Sequence, residues 1–162
     1  MILRIRVILD VEEDVIRDLE IDHQATLEEL HLAIAQSFGF AGSEMASFYR
    51  SSENWEQGEE LSLMDMGTGE APQGETLLGS IFAEDQHHLI YVYDFMALWT
   101  FFVEVMEVVE PAAGMSYPYL VFAQGEVPEE APEKSFETDE ESDIEEDLGD
   151  SDEYEGDLDS YY

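Results

Sequence analysis

The run of apolar residues at 89–109, LIYVYDFMALWTFFVEVMEVV, constrains the fold of this chain more than any other feature. Aromatic and β-branched residues dominate it, and both types favour a pleated, packed surface. The run is long enough to cross a membrane, but three carboxylates interrupt it, and charges at mid-membrane are costly. We therefore predict two strands of a buried sheet, 89–95 and 98–108, which meet at Met96 and Ala97.

The second of these strands has the pattern of a central strand. Residues 99–103 are apolar on both faces apart from Thr100, as in a strand covered on both sides. Phe101 lies in the middle of this segment and is predicted to be almost fully buried. Glu104 and Glu107 indicate that the strand then emerges into solvent.

The N-terminal segment has the pattern of a β-hairpin. Residues 2–11 alternate apolar with polar side chains, as a half-buried strand does. After a polar turn at 12–14, residues 15–22 alternate again and form the second arm, whose inner face Arg17 interrupts. The predicted inner positions are Leu3, Ile5, Val7, Leu9, Val11, Val15, Leu19 and Ile21.

A helix is predicted over residues 26–38. Thr26 and Glu29 have the spacing of a capping box, in which each side chain binds the other residue's backbone amide. Gly39 stands where a left-handed residue commonly ends a helix. The apolar residues at helical spacing are Leu27, Leu30, Ile34 and Phe38.

The remaining segments complete an α+β domain. We predict short strands at 45–50 and 61–66, a glycine-rich linker at 67–74 and a short helix at 76–82. Residues 117–122 form either a last strand or an extended cover. A hairpin, a helix and then further, mostly antiparallel strands is a β-grasp-like (ubiquitin-like) order, in which one helix covers the sheet.

The charge restricts the possible partners. The chain carries 41 acidic and 5 basic residues, a net charge of −36. Nucleic-acid affinity comes largely from Lys and Arg that neutralise phosphates, so we expect no direct binding to nucleic acid. The same argument excludes anionic membrane surfaces. A basic protein or cations are the expected electrostatic partners.

The composition divides the chain into three parts. Residues 1–125 form a single domain with a net charge of −19, and residues 126–132 form a linker of Pro and Glu. Residues 133–162 form a low-complexity acidic tail with few apolar residues. Such a tail cannot bury enough surface to offset the entropy of ordering, so we expect it to be disordered.

The N-terminal sequence and the absence of cysteine indicate a cytoplasmic protein. No disulfide or thiolate zinc site is possible without cysteine. Arg4 and Arg6 interrupt the first apolar run, so it is not a signal peptide. The oligomeric state has no signature in the sequence.

Standard catalytic and cofactor signatures are absent from the sequence. Gly67-Thr68-Gly69 is too short for a phosphate loop, and no HExxH metal motif occurs. His87 and His88 are adjacent, so on a strand they point to opposite faces and suit solvent better than a metal. We therefore assign no catalytic residue, no metal site and no cofactor.

Two polar residues are nevertheless candidates for a site. Asp94 lies inside the aromatic run, where burial would raise its pKa and make it an acid or a base. Its structural alternative is to cap the turn near Met96, a common role of Asp. His31 lies on the predicted helix beside Leu30, and its structural alternative is a partly buried histidine with one hydrogen bond.

Three motifs, in order, resemble the plasmid pRiA4b ORF-three-like family. They are TLxxLHxxIxxxFGF from Thr26 to Phe40, YxYDFxxxW from Tyr91 to Trp99, and Tyr117-Pro118 followed by Gly125 and Pro128. The resemblance spans about residues 1–132 and implies an α+β domain. The family has no established activity, and some members are labelled as insertion-element passenger proteins. The resemblance adds almost nothing on mechanism, and the candidate binding residues of this chain are Tyr93, Asp94, Trp99 and His31.

The chain departs from the family pattern at its most polar positions. The family commonly has Gly-Asp-Asp before the tryptophan and a histidine two positions after it. This chain has apolar residues instead, and it also lacks the cysteine common in the C-terminal segment. The substituted positions are Met96, Ala97, Leu98, Phe101, Leu120 and Val127.

Three hypotheses about function follow from the sequence. The first is a non-enzymatic protein-interaction module with an acidic tail that steers it to a basic partner. The second is a nucleic-acid mimic or mobile-element accessory protein that occupies a basic DNA-binding surface. The third is an enzyme that uses Asp94 and His31, and it requires a pocket that joins the two side chains.

Overall fold

A computed structural model describes residues 1–64, 67, 71–83 and 85–132, and residues 1–132 form one compact unit. The predictions for the acidic tail at 133–162, and for parts of the strand at 61–66 and the linker at 67–74, lie outside the described residues.

The described residues form one antiparallel sheet and two helices, which confirms an α+β fold. The strands lie in the order β4-β3-β5-β6-β1-β2-β7. The strands are β1 (Ile2–Leu9), β2 (Ile16–Asp22), β3 (Ala46–Arg50), β4 (Glu60–Ser62), β5 (His88–Tyr93), β6 (Trp99–Val109) and β7 (Tyr119–Gln124). The helices are α1 (Leu27–Ser37) and α2 (Leu78–Ile81).

The hairpin of β5 and β6 occupies the middle of the sheet. At the turn the observed strands end at Tyr93 and begin at Trp99, so they are shorter there than the predicted 89–95 and 98–108. The reason is that Asp94 (φ +68°) and Leu98 (φ +59°) adopt left-handed backbone conformations. The carbonyl of Asp94 accepts hydrogen bonds from the amides of Ala97 (3.0 Å) and Leu98 (2.6 Å). These bonds close the turn at Met96 and Ala97, where the sequence places it.

The core lies between α1 and the central strands. Phe101 on β6 is 0% exposed, as predicted, and its ring meets that of Phe38 at a centroid distance of 4.8 Å. Beyond Val103 the side chains of β6 become progressively exposed, and Glu107 lies at the surface. On the opposite face the Phe102 ring lies 5.0 Å from the Trp55 ring, so apolar contacts on both faces of β6 explain its sequence.

Helix α1 begins with the predicted capping box. The Thr26 hydroxyl accepts from the Glu29 amide at 3.1 Å, and a Glu29 carboxylate oxygen accepts from the Thr26 amide at 2.9 Å. Two further amides of the first turn, Leu27 and Glu28, donate to carbonyls of the 74–76 segment. The N-terminal amides that a helix leaves without internal partners are thereby satisfied.

The sheet face that α1 does not cover carries ion pairs across β6, β1 and β2. Arg4 contacts Glu20 at 2.7 Å and also pairs with Glu107. The guanidinium of Arg6 donates two bonds to the Asp18 carboxylate, at 2.9 and 3.0 Å. The antiparallel register places Arg4 opposite Glu20 and Arg6 opposite Asp18, so the alternating sequence of each strand determines these pairs.

The C-terminal segment forms a strand, the first of the two predicted alternatives. Strand β7 pairs with β2 at one edge of the sheet, and all six of its residues are exposed. It ends at Gly125 (φ +82°), where a Cβ atom would lie 2.2 Å from the Asp14 carbonyl oxygen. A glycine is therefore required where the chain passes the β1–β2 turn.

We expect Thr26→Ala to lower the free energy of unfolding by about 1 kcal/mol, because it removes the hydroxyl of the capping box. Chemical denaturation provides the measurement. Thr26→Ser keeps the hydroxyl and is the matched control, so it should retain most of the stability. Equal denaturation midpoints for Thr26→Ala and the wild type would show that the cap contributes nothing.

Candidate functional site

The four candidate residues all contact the segment that joins α1 to β3. We call residues 40–45 the connecting segment. It holds the partner atoms of His31, Tyr93 and Asp94 and the aromatic ring that packs on Trp99. The structure therefore brings these residues to one region. Their separation along the sequence does not predict that they lie together.

His31 joins the helix to the sheet and to the connecting segment. Its Nε2 lies 3.2 Å from the Gly42 carbonyl oxygen, and its Nδ1 lies 2.5 Å from the Tyr91 hydroxyl. A carbonyl only accepts, so Nε2–H donates to Gly42, and in the neutral ring Nδ1 accepts from the Tyr91 hydroxyl. Burial lowers the pKa of His31, and the Gly42 carbonyl and the nearby Glu28 carboxylate oppose that shift.

Tyr93 holds the same segment through its hydroxyl. The Tyr93 oxygen accepts hydrogen bonds from the amides of Gly42 (3.0 Å) and Glu44 (3.3 Å). Two residues before it, the fully buried Tyr91 binds His31, and burial raises the pKa of the Tyr91 phenol. Both tyrosine hydroxyls therefore have structural partners.

Asp94 holds the turn of the central hairpin. Its Oδ1 accepts from the amides of Met96 (3.1 Å) and Ala97 (3.4 Å), and its own amide donates to the Met45 carbonyl at 2.7 Å. These contacts are those of a turn-capping residue, which is the structural alternative that the sequence left open for Asp94. The side chain is partly accessible to solvent, and it does not hydrogen-bond to His31.

Trp99 contributes apolar packing. It is 6% exposed, and its ring lies 5.1 Å from that of Phe40 in the connecting segment. The Phe40 ring also lies 5.1 Å from that of Tyr93. The aromatic rings thus fill the space between the connecting segment and the hairpin, and burial leaves Trp99 little surface to offer a ligand.

The chemistry available to these four residues is limited by their contacts. Both ring nitrogens of His31 are engaged, the hydroxyl of Tyr93 accepts two amide bonds, and Asp94 binds the turn. Among the described residues, no group of three His, Asp or Glu side chains is placed to hold a metal ion. The contacts of these residues hold the connecting segment against α1 and the central hairpin.

Two cavities lie elsewhere on the described surface. One, of about 420 Å³, lies between α1 and the segment that leads into β7, and we call it the α1–β7 groove. It is lined by Ile21, Asp22, Gln24, Ala25, Glu29, Leu32, Ala33, Gln36, Tyr117 and Pro118. The other, of about 390 Å³, lies beside the β1–β2 turn and is lined by Val11, Glu12, Glu13, Val15, Glu126, Pro128, Glu130 and Pro132. Neither contains Asp94 or His31.

A model of the plasmid pRiA4b ORF-3-like protein family matches residues 1–156. The chain belongs to this family. The match confirms the resemblance of the three sequence motifs and extends beyond the residues that carry them. None of the curated proteins matches the chain significantly. No helix in the part of the chain that the structure describes is long and apolar enough to cross a membrane.

The fold is also similar to a solved structure, the crystal structure of a protein of unknown function, MM3350, from Methanosarcina mazei Go1. The two chains are 18% identical, the match covers 79% of this chain and 72% of that chain, and the TM-score is 0.68. Similarity at this identity shows the shared fold alone.

Four of the positions where the resemblance implies a departure, Met96, Ala97, Leu98 and Phe101, lie in the central hairpin. Met96 is 95% exposed at the tip of the turn, and Leu98 follows in a left-handed conformation. Phe101 is 0% exposed, and its ring centroid lies 5.3 Å from that of Tyr91.

Arg17 has a role that its sequence position does not reveal. Its Nε donates to the Ser37 carbonyl at 2.8 Å, at the C-terminus of α1, and its guanidinium lies over the Phe38 ring at 4.9 Å. It also donates to the carbonyls of Gln124 (2.9 Å) and Gly125 (3.2 Å), at the end of β7. The sequence signal that could have indicated these contacts is an arginine on the otherwise apolar inner face of a strand.

His87 and His88 differ from each other in their surroundings. His87 is exposed, as predicted, but His88 is not a solvent-facing residue. The His88 ring lies 4.9 Å from that of Trp55, and its Nε2 lies 3.5 Å from a Glu104 carboxylate oxygen. Strand alternation predicts opposite faces for the two histidines, but it does not predict the tryptophan that covers one of them.

We expect the stability of the protein to fall as the pH drops below about 6.5, the pKa of an unperturbed histidine, in part through His31. Because burial lowers the pKa of His31 in the folded state, the unfolded state binds the proton more tightly. The stabilisation is present above the unfolded pKa and is lost as the pH falls through the folded pKa.

The measurement is the free energy of unfolding from pH 8 to pH 5. His31→Gln should show a shallower loss than the wild type over this range, whereas His87→Gln, at an exposed position, should keep the wild-type slope. Parallel curves for the wild type and His31→Gln would contradict the assignment.

We expect Asp94→Asn to change stability little and Asp94→Ala to cost about 1–2 kcal/mol, because alanine is strained in a left-handed backbone conformation and no longer accepts from the turn amides. The asparagine oxygen can still accept from the Met96 and Ala97 amides, and asparagine tolerates a φ of +68°. Alanine does neither. Denaturation midpoints of the two variants provide the measurement, and a larger loss for asparagine than for alanine would contradict the turn-capping role.

Proposed function

We propose that this protein is a non-enzymatic protein-interaction module that binds a basic partner. The observation that carries the proposal is the use of every arginine in the described region for an internal contact. Residues 1–132 hold 26 acidic residues and four arginines. The carboxylates that lack an arginine partner leave a negative field around the domain.

The contacts of the four arginines show that each of them is used within the domain. Arg4 and Arg6 pair with carboxylates on neighbouring strands, and Arg50 lies 3.3 Å from Glu59. Arg17 donates to backbone carbonyls of α1 and β7 instead of to a carboxylate. No arginine is therefore available to attract an acidic partner, whereas a basic partner meets complementary charge.

The candidate site supports a non-catalytic role. A general acid or base must reach the proton that it transfers. The two groups that the enzyme hypothesis requires, Asp94 and His31, bind a turn and a buried tyrosine, and neither lines the two cavities described above. The enzyme hypothesis therefore stays a prediction without support from the geometry.

The charges on the sheet face that α1 does not cover argue against the hypothesis of a nucleic-acid mimic. Mimicry needs a row of free carboxylates spaced like phosphates. On this face Asp18, Glu20 and Glu107 pair with Arg4 and Arg6, so the face presents mixed charge. We therefore favour the interaction module over the mimic and the mobile-element accessory role.

We also propose that the protein acts in the cytoplasm and that its fold is β-grasp-like. The first rests on the absence of cysteine from the sequence. The second is supported by a first hairpin, β1–β2, that is followed by α1, and by the position of β1 between β2 and β6 in the sheet.

The charge of the acidic tail predicts an effect on the rate of association with a basic partner. Residues 133–162 add a net charge of −14 to the domain, so deleting them should slow association with a basic partner and leave dissociation nearly unchanged. The partner is first captured from a lysate on the full chain, and association rates are then measured at 0.05 and 0.5 M salt.

The rate difference between the full chain and the truncated chain should shrink at high salt, because the Debye length falls from about 10 Å at 0.1 M to about 3 Å at 1 M. Equal association rates at low salt would contradict steering by the tail. Failure of the full chain to capture any basic protein would contradict the proposed function itself.

A further inference from the structure

Strand β7 lies within the longest uncharged stretch of a highly charged chain. Residues 111–125 contain no Asp, Glu, Lys or Arg, although Glu110 and Glu126 flank them and the chain has a net charge of −36. Edge strands are commonly protected by charges, because an unprotected edge pairs with other strands. This edge lacks that protection.

The side chains of β7 are exposed on both faces of the sheet. Tyr119, Leu120, Val121 and Phe122 are 46%, 42%, 45% and 44% exposed. Leu120 lies opposite Leu19, so its side chain projects on the face that α1 covers, whereas Phe122 lies opposite Asp18 on the other face. A strand added to this edge would cover apolar surface on both sides.

The α1–β7 groove lies next to this strand on the α1 face. Its apolar lining includes Ile21, Leu32 and Pro118, and its acidic lining comes from Asp22 and Glu29. The Asp22 carboxylate accepts from the Gln24 amide at 2.9 Å, and this bond lowers the pKa of Asp22. The groove therefore presents apolar surface beside a negative charge.

Charge decides among the possible occupants of this edge. A second copy of the chain would bring another net charge of −36, and the chain's own residues 133–162 carry a net charge of −14. Both are repelled by the domain. A segment with Lys or Arg among its apolar residues is attracted to it, and it matches both the uncharged edge and the carboxylate of Asp22.

We propose that the open edge of β7 and the adjoining α1–β7 groove bind an extended peptide segment of alternating apolar and basic residues by strand addition. The main-chain bonds supply affinity, and the side chains that enter the groove supply specificity. The inference rests on the proposed function and identifies the surface and the chemistry of the partner.

The test uses a fluorescent nonapeptide, Lys-Val-Thr-Val-Lys-Val-Thr-Val-Lys with blocked termini, and the full chain in 0.15 M salt. Leu120→Lys places a charge on the edge, and Met106→Lys places the same charge at a similarly exposed position on β6. Strands β1 and β2 separate β6 from β7. Fluorescence anisotropy gives the dissociation constants, and circular dichroism verifies the fold of each variant.

We expect Leu120→Lys to weaken peptide binding at least tenfold and Met106→Lys to change it less than twofold. Phe122→Lys, on the other face of β7, is a second edge variant in case Leu120→Lys does not fold. Equal effects of the edge variants and Met106→Lys would overturn the inference, because they would show binding to diffuse charge. Equal affinity for a peptide with Glu in place of Lys would also overturn it.

Two further outcomes separate this inference from the proposed function. If a captured basic partner binds Leu120→Lys and Met106→Lys equally well, the interaction role stands and β7 is not the binding surface. If sedimentation shows a dimer of the wild type that Leu120→Lys disrupts and Met106→Lys does not, a second copy occupies the edge and the inference is wrong.

Discussion

The hydrogen bond between His31 and Tyr91 joins α1 to the middle of the sheet, and much of the structure depends on the position that it fixes. Tyr91 lies on β5 with 0% of its surface exposed, beside the ring of Phe101 on β6. A buried polar pair is costly unless it is satisfied, so the bond favours one placement of the helix over alternatives. The same histidine binds Gly42 and so also holds the segment that leads from α1 into β3.

The sequence predicts the elements whose signals are local. The capping box at Thr26, the alternation along β1 and the turn at Met96 and Ala97 each depend on residues within a few positions of one another. Burial of Phe101 was predictable for a similar reason, because β6 is apolar on both faces. These local signals are sufficient to establish an α+β fold.

Contacts between distant segments were not predictable. Arg17 interrupts the inner face of β2, and only the structure shows that it binds the end of α1 and the end of β7. The four candidate residues are separated by up to 68 positions, yet all contact the connecting segment. The pattern around Asp94 favours a turn cap but also fits a catalytic acid, and only the bonds from the amides of Met96 and Ala97 show the turn-capping contacts.

Polar groups near the centre of the domain are used by the fold, and exposed apolar surface lies at its edge. His31, Tyr93 and Asp94 bind other parts of the chain, whereas β7 pairs with β2 alone among the described strands. The negative field and the uncharged edge have different effects on association. In the proposed complex, the field would accelerate encounter with a basic partner, and the edge would offer the main-chain and apolar contacts that slow dissociation.

The most direct test of this account is a hydrogen–deuterium exchange comparison of the full chain alone and in complex with its captured partner. The account predicts slower exchange of amides in residues 117–124 on binding, with residues 89–99 and the connecting segment unchanged. Protection of the connecting segment and of residues 93–99, with none in β7, would contradict it and would place the binding site at Tyr93, Asp94 and Trp99.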